Sequence, residues 1–85
     1  MRQTLKNSRG IKIGSYETKL LGKTIVYDKN NIRLGEIRPS GSRLIAYDKM
    51  NRKIAEWNER DDYTYDSHHR KIAKGNMLLD IYFEE

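Results

Sequence analysis

The sequence predicts a mainly β protein: four antiparallel β-hairpin repeats packed around a common axis, with a short C-terminal helix or strand. Three observations lead to this fold class. A ten-residue unit recurs four times, each copy combines strand-forming residues with a turn signature, and 85 residues that are 36% hydrophobic are enough for one domain with a thin core. We therefore treat residues 1–85 as a single domain.

The repeat is defined by its ends. Each unit closes on a small residue at position 14, 35, 55 or 73, so successive copies are 21, 20 and 18 residues apart. Three copies contain Tyr-Asp before the turn, and all four end with a basic residue, Ile or Leu, and then Gly or Ala. The repeats occupy about residues 3–16, 24–37, 44–57 and 63–75, and a C-terminal segment follows at 76–85.

Each unit contains one specific turn. A short side-chain acceptor opens it, and three residues later comes a residue type that tolerates left-handed φ. The openers are Asn7, Asp28, Asp48 and Asp66, and the left-handed candidates are Gly10, Asn31, Asn51 and His69. A type I turn followed by one left-handed residue joins the strands of a hairpin through a bulge. We expect eight short antiparallel strands, with links at 21–23, 38–43 and 58–62.

The small residue after the aliphatic one needs its own explanation, because glycine normally weakens a strand. If four hairpins surround an axis, one position per repeat approaches its neighbours most closely, and only a very small side chain fits there. The alternative is a shared bulge without axial packing. The positions concerned are Gly14, Gly35, Ala55 and Ala73.

The C-terminal segment departs from the repeat and is the most apolar stretch of the chain. Asn76 is a good N-cap, and positions 77, 78, 81 and 82 would share one helical face. Strand alternation fits nearly as well, and Glu84-Glu85 is a poor helix end. One interpretation is a short helix that plugs an opening of the hairpin assembly. The other is a strand that pairs with its copy in a homo-oligomer through Met77, Leu79, Ile81 and Phe83.

Residues 63–70, Tyr-Thr-Tyr-Asp-Ser-His-His-Arg, resemble the YD repeat of large secreted shell-forming toxins, with His69 at the position of the repeat's glycine. In size and repeat number the chain more closely resembles the small bacterial proteins called four-fold β-flowers, over about residues 4–75. This resemblance implies a compact radial β-repeat and carries no functional residue with it.

Few residues indicate catalysis or metal binding. The chain has no cysteine, which excludes disulfides and thiolate chemistry. His68 and His69 are the obvious candidate ligands, but both fall in the fourth turn, which explains them without a metal. Asp61 and Asp62 are typical of a solvated link. We predict no catalytic residue, no metal and no cofactor; a small metal-dependent enzyme using His68 or His69 is the third-ranked alternative.

The charge distribution is the best functional indication. The net charge is +5, and residues 1–38 carry nine Lys/Arg against three Asp/Glu. We therefore predict a non-catalytic binding module whose partner is anionic, either a nucleic acid or an acidic protein surface. The expected contacts are Lys12, Lys23, Arg33, Arg38 and Arg43.

Two competing interpretations concern the aromatic residues and the second link. Tyr27, Tyr47, Tyr65 and Trp57 could stack nucleic-acid bases, but their recurrence at repeat positions favours core or cross-strand packing. Segment 38–43 could bind an anion, although it is more typical of a link between hairpins. The alternative function is a protein-protein or homo-oligomerisation module that uses the apolar tail. With no membrane-length apolar run and no export signal after Met1, we expect no membrane partner and a cytoplasmic location.

Overall fold

The computed structural model describes residues 2–83, so Met1 and the Glu84-Glu85 end of the C-terminal segment lie outside the described residues. Eight strands form one antiparallel sheet in which each strand pairs with the next along the chain. The strands are β1 (Arg2–Lys6), β2 (Lys12–Thr18), β3 (Thr24–Asp28), β4 (Arg33–Ser40), β5 (Arg43–Asp48), β6 (Lys53–Asn58), β7 (Tyr63–Asp66) and β8 (Lys71–Lys74). The predicted mainly β class and the eight antiparallel strands are confirmed. Within the described residues the sheet is open, running from β1 to β8.

Four hairpins, β1–β2, β3–β4, β5–β6 and β7–β8, share one turn, and the second hairpin illustrates it. The Asp28 carboxylate accepts hydrogen bonds from the backbone N–H groups of Asn30 at 2.8 Å and Ile32 at 2.9 Å. Asn31 adopts a φ of 67°, and the pairing register shifts between Val26 and Tyr27. The other turns repeat this geometry, with left-handed φ at Gly10, Asn51 and His69. The predicted turn and bulge are therefore confirmed.

The link between the second and third hairpins differs from the prediction. Arg38 pairs with Ile45 and Ser40 with Arg43, so strand β4 continues through residues that the sequence predicts to be a link. Only residues 41 and 42 form the turn, with Gly41 at a φ of 63°. A two-residue turn with positive φ suits a tight hairpin. The prediction of a 38–43 link was wrong because cross-strand pairing extends the ladder to the turn itself.

The C-terminal segment forms a helix rather than a strand. Helix α1 (Leu78–Ile81) begins after Asn76, whose side-chain oxygen accepts the backbone N–H of Leu78 at 3.1 Å. Leu78 is 1% exposed and packs in the core. The other buried core residues come from four neighbouring strands, β3 to β6: Val26, Ile37, Ala46 and Ala55. None of the helices within residues 2–83 has the length and apolar character needed to cross a membrane.

The small residues make room for the next strand and for the C-terminal aromatic rings. A Cβ added at Gly14 would lie 2.5 Å from both the Phe83 ring and the carbonyl oxygen of Tyr27. A Cβ added at Gly35 would overlap the carbonyl oxygen of Tyr47 and lie 2.8 Å from the Tyr82 ring. Close approach therefore explains the small residue in the first two hairpins, and the C-terminal segment is one of the neighbours.

The sheet has two different faces. Because side chains alternate along a strand, Val26 and Ile37 lie on the face that packs against α1, while Glu36 lies on the opposite face. Glu36 pairs across the strands with Tyr47, and Glu56 pairs with Tyr65. Tyr47 and Tyr65 are thus half-buried cross-strand partners of glutamates, whereas Tyr27 pairs with Ser15, and none of the three belongs to the hydrophobic core.

Candidate functional site

An open groove of about 660 Å³ lies between the β2–β3 loop and the end of β4. Its walls combine apolar and cationic side chains in nearly equal number. The lining residues are Lys19, Leu20, Leu21, Lys23, Ile25, Arg38 and Pro39. Lys23 and Arg38 are two of the five anion contacts that the sequence predicts.

The β2–β3 loop presents two leucines to solvent. Leu20 is 93% exposed and Leu21 is 95% exposed. Leu21 has a φ of 70°, a left-handed conformation that is unusual for a non-glycine residue, and Gly22 follows with a φ of 81°. The backbone N–H of Lys19 donates to the carbonyl of Lys23 at 2.6 Å and closes the loop. The loop therefore holds an apolar pair between two lysines at the groove.

Two of the three groove cations, Lys23 and Arg38, contact one buried carboxylate. Glu36 is 6% exposed, and its oxygens lie 3.0 Å from Arg38, 3.1 Å from Arg33 and 3.5 Å from Lys23. Burial alone would raise the pKa of Glu36, but the Arg38 hydrogen bond and the charges of Arg38 and Lys23 outweigh it and lower the pKa. Three cations surround one carboxylate, so the region keeps a positive excess.

A second buried glutamate occupies the same repeat position in the third hairpin. Glu56 is 1% exposed; it contacts Lys53, lies 3.3 Å from Arg43, and lies 3.9 Å from the His69 ring. Burial would raise the pKa of Glu56, yet the Lys53 hydrogen bond and charge, with those of Arg43, lower it. Our reading of the sequence missed both glutamates. Gly35-Glu36 and Ala55-Glu56 carried a signal, because a glutamate follows the small residue in both copies.

The five predicted anion contacts do not form one patch. Lys23, Arg33 and Arg38 meet at Glu36, whereas Arg43 belongs to the Glu56 cluster. Lys12 lies apart from both clusters, as the first residue of β2, and is exposed. Their role as anion contacts remains a prediction.

The repeat tyrosines are already covered on one ring face. The Arg2 guanidinium lies 3.9 Å from the Tyr27 ring centre, and the Arg38 guanidinium lies 4.1 Å from that of Tyr47. Tyr65 stacks on His69 with a centroid distance of 5.1 Å. A base that stacked on one of these faces would first have to displace the group covering it.

The histidines take part in the fourth turn. His69 has a φ of 66°, and the backbone N–H of His68 donates to Asp66 at 2.9 Å. The Tyr65 hydroxyl donates to Asp61, and this hydrogen bond lowers the pKa of the Asp61 carboxyl. Within residues 2–83 no three His, Asp or Glu side chains converge in a metal-binding group.

The predicted oligomer contacts pack mainly on their own chain. Leu79, Ile81 and Phe83 are half-buried against the core, while Met77 is 42% exposed. Whether these residues also meet a second copy stays a prediction.

Comparison of the chain with protein-family models, curated proteins and solved structures finds no match.

Proposed function

We propose that this chain is a non-catalytic binding module whose partner is an acidic protein segment that also carries apolar side chains. The observation that carries the proposal is the groove in which Leu20 and Leu21, almost fully exposed, lie among three cations. A protein that exposes adjacent large apolar residues beside a groove commonly uses them to bind a partner. The apolar side chains of the segment would cover the leucines while its carboxylates meet the surrounding cations.

The charges support an acidic partner. Lys19 forms an ion pair with Glu17 at 2.8 Å, but Lys23, Arg33 and Arg38 share the single carboxylate of Glu36. This positive excess attracts acidic segments and repels basic ones, which favours specificity and fast association.

Two alternatives fit less well. A nucleic acid would gain from free aromatic faces, but Arg2 and Arg38 already cover Tyr27 and Tyr47. A homo-oligomer built on the tail would have to use residues that are half-buried on their own core. Because nucleic acid remains a competing partner, single-stranded DNA is one of the probes below.

The test compares three probes by fluorescence anisotropy at low salt: a random glutamate-leucine copolymer, polyglutamate of equal length, and single-stranded DNA. We expect the copolymer to bind at least about tenfold more tightly than polyglutamate, because covering two leucines adds well over the roughly 1.4 kcal/mol that corresponds to tenfold affinity. The double variant Leu20→Ser/Leu21→Ser should remove this preference and keep the weak binding of polyglutamate.

Met50→Ser is the matched control, because Met50 is 66% exposed at a hairpin turn that does not line the groove. It should bind all three probes as the wild type does. Tighter binding of DNA than of the copolymer, with a steep loss between about 50 and 200 mM salt, would instead assign the basic surface to nucleic acid.

The fold proposal that accompanies this function is that the four hairpins surround the C-terminal segment. It is supported by contacts of that segment with every hairpin: Phe83 with Gly14, Tyr82 with Gly35, α1 with β6, and the Met77 backbone N–H with the Thr64 hydroxyl at 3.0 Å. This arrangement agrees with the resemblance to four-fold β-flowers, and kinship with them remains part of the proposal.

A further inference from the structure

The first hairpin contains a buried hydroxyl without a hydrogen-bond partner. Ser15 is 1% exposed, and its side-chain oxygen contacts no donor or acceptor within residues 2–83. Buried polar groups are normally paired, because an unpaired one loses its hydrogen bonds to water without replacement. Ser15 therefore needs an explanation that the groove does not supply.

Ser15 occupies the position that a glutamate fills in the next two hairpins. It follows Gly14 as Glu36 follows Gly35, and it pairs with Tyr27 as Glu36 pairs with Tyr47. On its other side Ser15 pairs with Thr4, whereas Glu36 pairs with Ile25. The first hairpin thus replaces a carboxylate and an aliphatic side chain with two hydroxyls.

The first hairpin has an arginine over its repeat tyrosine, as the second hairpin does. Arg2 lies 3.9 Å from the ring centre of Tyr27 and donates to Asn31 at 3.0 Å. In the second hairpin Arg38 lies 4.1 Å from the Tyr47 ring and donates to the Asn51 side chain at 3.0 Å. Arg38 makes one further contact, its 3.0 Å hydrogen bond to Glu36. Arg2 makes no hydrogen bond to a carboxylate within the described residues, because its cross-strand partner Glu17 pairs with Lys19 at 2.8 Å.

A second cation repeats in the same way. Arg33 and Lys53 each stand three residues before a glutamate and pair with it. Lys12 stands three residues before Ser15. Neither Arg2 nor Lys12 forms an ion pair within the described residues, and both side chains are exposed, so an anion can reach them from solvent.

We propose that Ser15, Arg2 and Lys12 bind one phosphate-sized oxyanion in place of the carboxylate that the other two hairpins supply internally. The anion would have to displace the side chains that bury Ser15. The Ser15 hydroxyl would then donate to the anion, the planar Arg2 guanidinium would bind two of its oxygens, and Lys12 would add a point charge. Phosphate, free or as a monoester, matches this combination of donors. The site lies on the first hairpin and shares no residue with the groove.

The experiment measures thermal denaturation in inorganic phosphate and in chloride at equal ionic strength and pH. Phosphate at about five times its Kd should raise the Tm by about 4–8 °C over chloride. Ser15→Glu supplies the missing carboxylate, so this variant should have a higher Tm than the wild type in chloride and should lose the phosphate response. The control Ser8→Glu, which adds the same charge at the exposed turn of the same hairpin, should keep the response.

Arg2→Gln provides a second test that does not depend on placing a new side chain in a buried position. It should fold and lose the phosphate response, whereas Leu20→Ser/Leu21→Ser should keep it, so failure of this site and failure of the groove are separable. Equal phosphate responses of wild type, Ser15→Glu and Arg2→Gln would mean nonspecific anion binding and overturn the proposal. A Ser15→Glu protein that melts below wild type in chloride would also overturn it.

Discussion

The second and third hairpins use the same repeat for different purposes. Both bury a glutamate, Glu36 or Glu56, on the face opposite the C-terminal helix, and both hold it with a basic residue three positions earlier. The second hairpin adds Arg38, where the third has Asn58. The buried carboxylate is therefore a feature of both hairpins, while the additional arginine two residues after it occurs only in the hairpin beside the groove.

The segments that lead into the two hairpins differ even more. The second is preceded by the loop that exposes Leu20 and Leu21, and the third by a turn of Gly41 and Ser42 alone. Loops tolerate variation that strands do not, because their backbone is not committed to ladder pairing. The strands of each repeat therefore maintain the fold, and the loops between repeats carry the features specific to one hairpin.

The largest loss of stability is expected at the small residue of the repeat, which is glycine at position 35 and alanine at position 55. Gly35→Ala would place a Cβ against the backbone carbonyl of Tyr47, which cannot rotate away, so we expect a loss of roughly 3 kcal/mol or more in the free energy of unfolding. The reciprocal Ala55→Gly removes a fully buried methyl and should cost only about 1–2 kcal/mol. Urea denaturation of the two variants measures both values. Equal losses would show that the two positions have the same surroundings and would remove the distinction.

The next largest loss of stability is expected when one of the two buried carboxylates is neutralised. Glu36→Gln and Glu56→Gln should each cost about 1–2 kcal/mol, because each removes charged hydrogen bonds whose cationic partners still reach water. Glu36→Gln leaves three permanent cations together and should cost more, and added salt should reduce that difference. It should also tighten binding of the glutamate-leucine copolymer, whereas Glu56→Gln should not. Copolymer binding that changes equally in both variants would contradict the link between Glu36 and the groove.

The pH dependence of the Tm tests the contribution of Glu36 and Glu56 independently. The pKa of each carboxyl is lower in the folded protein than the ordinary value of 4.5, so each contributes stability above that pH and loses it as the pH falls through the folded pKa. The Tm should therefore stay level from neutral pH to about 5 and fall below about 4.5. The Glu36→Gln/Glu56→Gln double variant should fall less steeply. A Tm that rises on acidification would mean that burial dominates and that the pKa values are raised.

The turns could be predicted from the sequence because everything they require is local. Asp28 accepts hydrogen bonds from residues two and four positions later, and Asn31 takes the left-handed φ within the same five residues. The small residue at Gly35 was also visible, but one of the neighbours that requires it, the ring of Tyr82, lies 47 positions along the chain. Packing between distant segments leaves no local signature.

The candidate site was only partly predictable, for a related reason. Lys23 and Arg38 were named from charge. Leu21 falls in the predicted 21–23 link, but the sequence does not indicate that both Leu20 and Leu21 are almost fully exposed, since adjacent leucines are usually buried. The loop contains two consecutive left-handed residues, Leu21 and Gly22, and leucine rarely adopts that conformation. When a side chain disfavours the backbone conformation that it adopts, that conformation is imposed by the surrounding structure. The sequence of the loop alone does not reveal that structure.

The smallest effect concerns the contact between the tail and the second hairpin. The Tyr82 hydroxyl lies 2.7 Å from the carbonyl of Tyr47 and 3.1 Å from that of Glu36, and burial raises the pKa of Tyr82. Tyr82→Phe keeps the ring against Gly35 and removes the donor, so we expect a loss of about 1 kcal/mol in the free energy of unfolding. Tyr16→Phe is the matched control, because the Tyr16 hydroxyl makes no hydrogen bond within residues 2–83 and its removal should cost less. If both variants lose the same stability, the tail is held by its rings alone and the hydroxyl contributes nothing specific to the second hairpin.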